Sequence, residues 1–135
     1  MLSKSLLSLF LCIALFSSCS SDDDNNDQPE TPSNVNIYDK WWYDSEDFAA
    51  DIYFHSNGQY EQRLEMLGNT YTATGDWFWL NEDETIMKIE NLVGDAQGVN
   101  EGWFKFTDKQ NTTITIQQAL DGENYSGDVI FNDVD

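Results

Sequence analysis

The chain has 135 residues, room for one domain once an apolar leader and a polar stalk are set aside. Its formal net charge of −19 argues against nucleic-acid phosphates or anionic head groups as partners recognised through charge. Its two cysteines, Cys12 and Cys19, are too few for a disulfide framework or a thiolate metal cluster once the first is removed with the leader.

Met1-Leu2-Ser3-Lys4 is a short positive segment, and residues 6–16 are apolar. As a helix these eleven residues reach roughly 16 Å, about half of a hydrocarbon core, which fits a secretory signal and not a spanning helix. Cys12 lies inside it, so Cys19 is the lone cysteine after processing. The segment Leu15-Phe16-Ser17-Ser18-Cys19 resembles a bacterial lipobox, with Phe16 where leucine is commoner. The resemblance implies cleavage after Ser18 and lipid on Cys19. Residues 1–18 are thus expected as a lipoprotein signal peptide. The leader holds one lysine and no acid, so what remains is one unit more acidic than the whole chain.

Residues 19–34 are rich in Asp, Asn and Ser, broken by Pro29 and Pro32, and too poor in apolar groups to offset ordering entropy. They read as a disordered acidic tether. Ser20-Ser21-Asp22-Asp23-Asp24 resembles the surface-export signal of Bacteroidetes lipoproteins, which implies an outward-facing address on the outer membrane. The alternating acids and amides of 22–27 do not make a calcium loop, because Asp27 takes the glycine place. Asp121-Gly122-Glu123-Asn124 fails in the same way, with Gly127 one place late. No metal or cofactor is expected.

From Val35 the apolar period is two. A first strand is expected around 40–43, then one turn of helix near 45–50 with Ser45 as cap. Ile52 and Phe54 alternate with Asp51, Tyr53 and His55, and Ser56-Asn57-Gly58-Gln59 supplies a hairpin turn. Return strands follow at 59–67 and 70–80 around Gly68-Asn69, then at 85–92. A glycine-punctuated loop leads to strands at 103–107, 112–118 and 126–131. About eight short antiparallel strands mean a barrel or a sandwich, and the pattern alone does not choose.

Trp41 or Trp42, then Phe54-x-Ser56-Asn57-Gly58-x-Tyr60, then Thr74-Gly75-Asp76-Trp77 is an order similar to that of the small lipocalin-like lipoproteins of Bacteroidetes. Trp103 to Phe106 followed by Thr113-Ile114-Thr115-Ile116 resembles that family's later strand pair. The resemblance covers roughly 40–118 and implies an all-β, small antiparallel up-and-down β-barrel over 35–135. Its motifs are turn glycines and core aromatics, so they speak to fold more than to activity.

In 70–80, Tyr71, Ala73, Gly75, Trp77 and Trp79 share one face and Thr72, Thr74, Asp76, Phe78 and Leu80 the other. Trp77, Trp79, Phe104 and Phe106 are expected to line the interior, with Leu64 as a wall residue of any ligand site. Trp103, out of phase with Phe104 and Phe106, is the candidate for an exposed ring, and at most one of Trp41 and Trp42 faces inward. His55 is the only histidine and has no second ligand or nucleophile in view, which makes it a surface residue. No catalytic motif is present, and 25 acids are too many to single out a catalytic pair. The expected function is a lipid-anchored binding module, not an enzyme, holding a small apolar or sugar-like ligand. The alternative is a solid barrel that meets an envelope protein through its outer face.

Overall fold

The computed structural model describes residues 35–95 and 98–135; the expected signal peptide, the expected lipid site Cys19, the expected tether and the acidic run 22–27 lie outside the described residues. The described chain is all-β. Strands β1 (Trp41–Asp44), β2 (Asp51–Phe54), β3 (Gln59–Met66), β4 (Asn69–Trp79), β5 (Ile86–Gly94), β6 (Gly102–Lys109), β7 (Thr113–Ala119) and β8 (Val129–Asn132) run in sequence order around a closed antiparallel barrel. Closure rests on Tyr43↔Asn132 and Asp44↔Phe131 between β1 and β8, with Ser45 N donating to Ile130 O at 3.0 Å. That pairing decides for a barrel over a sandwich, because it leaves neither terminal strand with an open edge.

Alternation fills the barrel. Trp42, Ile52, Phe54, Tyr60, Met87, Ile89, Ile114, Ile116 and Phe131 are almost completely buried, and Phe104 and Phe106 nearly so. Eight strands leave an interior just wide enough for such a filling or for one small ligand. Two bulges break the alternation. Between Thr74↔Val93 and Asp76↔Glu90, Gly75 faces both Asn91 and Leu92, so β5 changes phase there. Asn91 takes φ +54, and a Cβ on Gly75 would come 2.7 Å from the Glu90 carbonyl oxygen. Glycine is therefore required where the bulged strand presses on its neighbour. The second bulge, between Phe106 and Asp108 of β6, lies at the opposite end of the barrel.

The two ends differ. One is plugged by 35–40: Trp42 Nε1 donates to Ile37 O (2.9 Å), and Asp39 N to Phe54 O (2.8 Å). Tyr38 stacks on Trp77 at 5.1 Å and accepts from Trp79 Nε1 at 3.0 Å. The other end is where the β1–β2, β3–β4, β5–β6 and β7–β8 connections gather, and among the described residues it is open.

Three turn expectations are corrected. Residues 45–50 form no helical turn; they are held by Asp44. At the β2–β3 hairpin only Gly58 has positive φ (+92), and His55 N donates to Gln59 O across a three-residue loop. That is a turn followed by a left-handed glycine, not the two-residue turn that the Asn57-Gly58 dipeptide by itself favours. The β3–β4 turn centres on Leu67-Gly68 instead of Gly68-Asn69, with Leu67 itself at φ +53.

Candidate functional site

The open end holds a cavity of about 240 Å³. Its floor is aromatic: Tyr60 and Phe104 meet edge to face at 5.8 Å, with Phe54 beneath at 5.8 Å from Tyr60 and 6.2 Å from Phe104. Ile52 and Ile89 close the sides, Ala119 approaches from the end of β7, Leu120 from the residue after it, and Ala49 and Ala50 from the β1–β2 connection. Leu92 joins the lining as well. Strict alternation after Met87 and Ile89 would have turned Asn91 inward; the bulge delivers Leu92 instead. A second hollow of about 230 Å³, formed with Leu64, Met66 and Tyr71, adjoins the first and shares Ala50 and Gln62 with it. Alone the first lies just below the roughly 300–1,000 Å³ usual for small-molecule sites, and the two together fall within that range.

Asp44 organises the alanine wall. Only 6% exposed, its carboxylate accepts from the backbone N–H of Phe48 (2.7 Å), Ala49 (2.6 Å) and Glu46 (3.2 Å). A buried carboxylate is tolerable when several donors satisfy it, and here they fix the connection that carries Ala49 and Ala50.

The polar part of the lining is small. Tyr60 donates its hydroxyl to Gln62 Oε1 at 3.1 Å, and burial pushes its phenol pKa well above the ordinary value. Gln118 lines the cavity from β7, and Glu101 borders it but turns to Lys88 at 2.9 Å. The mouth is bordered by exposed apolar side chains: Phe48 (87% exposed), Met66, Leu67 (93%), Tyr71 and Leu120. A leucine with positive φ and almost full exposure is uncommon and sits beside Met66 of the second hollow.

The positive charges are elsewhere. All five lysines and arginines among the described residues lie over aromatic rings: Lys40 on Trp42, Arg63 on Trp41, Lys88 on Trp103, Lys105 on Tyr125, and Lys109 on Trp79. None lines the cavity or the adjoining hollow.

The five residues expected at a ligand site are divided. Phe104 lines the cavity and Leu64 the adjoining hollow. Trp77, Trp79 and Phe106 face inward but pack at the plugged end, with Trp79 5.1 Å from Phe106 and Trp77 against Tyr38. Tyr60, Gln62, Ile89, Leu92 and the two alanines were not singled out, although Tyr60 and Gln62 share the phase of Leu64. Trp103 is not a free platform: Lys88 Nζ stands 5.1 Å from its ring, and a Cβ on Gly122 would come within 3.1 Å of it. Trp42 is the inward member of its pair, while Trp41 packs outside against Tyr53. His55 is half-exposed and bonded to Glu61 at 2.7 Å.

Among the described residues no group of three or more His, Cys, Asp or Glu is placed to hold a metal ion, and no helix is long and apolar enough to cross a membrane. No protein-family model, curated protein or solved structure matches the chain.

Proposed function

We propose that this chain is a lipid-anchored, outward-facing binding module that takes a small apolar ligand into the open end of its barrel. The observation that carries the reading is the cavity itself: an aromatic floor and aliphatic walls at one end, with the other end plugged. Apolar ligands gain from such a surface in proportion to the area they remove from water, about 25 cal/mol per Å² before the cost of immobilisation. The exposed apolar rim supports entry at that end. The lining favours an apolar molecule over a sugar, since two glutamines, one bonded phenol and a glutamate already paired with Lys88 offer few free partners for a ring of hydroxyls.

The alternative of an outer-face partner needs Phe78 and Trp103 in one apolar patch. In the ladder Phe78 pairs with Lys88 and Lys88 with Trp103, so a lysine stands between them. The outer aromatics are thereby divided, which weakens that reading.

Calorimetric titration with fatty acids, bile acids, the methyl esters of both, and glycans tests the module. Saturable binding of an apolar member at one site is expected, and no heat from any class would remove the reading. The anchor rests on the lipobox resemblance at Cys19 and is tested separately. Cys19→Ala is expected to move the protein from the membrane fraction to the soluble fraction, and retention in the membrane would refute lipidation there.

A further inference from the structure

The polar groups of the cavity narrow the ligand further, an inference that rests on the binding reading above. Buried Tyr60 must give its hydroxyl hydrogen to something, and its partner is Gln62 Oε1 at 3.1 Å. That bond orients the amide: a flipped Gln62 would leave the phenol hydrogen without an acceptor. Gln62 Nε2, whose two hydrogens find no partner among the described residues, then belongs to the wall that Gln62 contributes to both hollows. The site therefore offers a neutral donor between two apolar spaces.

No cation faces that donor. None of the described lysines and arginines lines either hollow, and the one beside the rim, Lys88, is already engaged by Glu101 at 2.9 Å, while Asp95 borders the second hollow. A carboxylate ligand would shed its hydration and meet no uncommitted positive charge, with the Asp95 carboxylate nearby. An apolar molecule with an uncharged acceptor, a carbonyl or an ester, meets a donor and suffers no repulsion.

We propose that the ligand is an uncharged amphiphile, an apolar chain or ring system bearing a carbonyl-type acceptor, seated with that acceptor on the Gln62 amide. The site selects against free acids of the same skeleton.

Methyl octanoate, octanoate and n-octane separate the possibilities, with binding followed through isoleucine-methyl NMR of the full domain at neutral pH. The ester is expected to bind about five- to tenfold tighter than the alkane, the increment of one net hydrogen bond, and at least tenfold tighter than octanoate. Gln62→Leu is expected to abolish the ester's advantage over the alkane while alkane binding persists. The double variant Tyr60→Phe with Gln62→Leu removes the bonded pair together, leaves no orphaned phenol, and is expected to behave the same. Octanoate binding tightest, or ester and alkane binding equally to the wild type, would overturn the acceptor proposal alone. Failure of all three to bind would take the cavity reading down with it.

Discussion

Asp44 is the side chain whose removal tests most about how the barrel holds its mouth. In Asp44→Ala three backbone donors of the β1–β2 connection lose their acceptor: Phe48 N and Ala49 N at 2.7 and 2.6 Å, Glu46 N at 3.2 Å. A hydrogen bond to a charged group contributes about 1.5–3 kcal/mol net. The two short bonds set the scale and the third, longer one adds little. Part of the loss is recovered because Glu46 and Phe48 are exposed and water can reach their amides. The expected destabilisation is therefore about 2–4 kcal/mol, a large share of the roughly 5–15 kcal/mol available to a domain. Urea unfolding followed by tryptophan fluorescence measures it, and hydrogen exchange locates it. Phe48 and Ala49 amides should lose protection in the variant while those of β6 and β7 keep theirs. Affinity for an apolar ligand should fall several-fold, since Ala49 and Ala50 are part of the wall. A loss below about 0.5 kcal/mol with unchanged exchange at Phe48 and Ala49 would refute the role given to this carboxylate.

Gly75→Ala drives a Cβ to 2.7 Å from the Glu90 carbonyl and 3.3 Å from Leu92, and is expected to cost about 1–3 kcal/mol in denaturant unfolding and to weaken ligand binding by displacing Leu92. Trp79→Phe removes the bond to the Tyr38 hydroxyl at the plugged end; stability should fall by about 1–3 kcal/mol with ligand affinity unchanged in calorimetry. Tyr60 supplies a pH dependence of known sign. Burial raises its folded pKa above the unfolded value of about 10, so its contribution is complete below that pH and is lost as pH rises beyond it. Above pH 10 the wild type should lose stability more steeply than Tyr60→Phe, by up to about 1.4 kcal/mol per pH unit, in denaturation curves taken across that range.

The faces of the strands were legible in the sequence, and their heights along the barrel were not. Period-two alternation put Trp77, Trp79, Phe104 and Phe106 inside, and inside is where they are. It carries no information on which end of the barrel a residue occupies, because height follows from strand stagger and from which loops gather at each end. The plug made by 35–40 decides the matter, placing Trp77 and Trp79 under Tyr38 and leaving the space above Phe104 open. Leu92 was hidden for another reason: one extra residue in β5 reverses its facing, and only the contact with Gly75 reveals it. Asp44 was accessible in principle. It follows Trp42 by two positions, and an acid in phase with a buried tryptophan must find donors nearby. Ser45, read as the cap of a helical turn, drew attention one residue past the true acceptor.

The central claim is that ligand enters the end opposite the plug. Isoleucine-methyl NMR tests it directly, since Ile52 and Ile89 line the cavity and Ile37 lies in the plug. Titration with methyl octanoate should shift Ile52 and Ile89 in a saturable way and leave Ile37 and Ile114 in place. Shifts centred on Ile37, or an unchanged spectrum at saturating ligand, would contradict it.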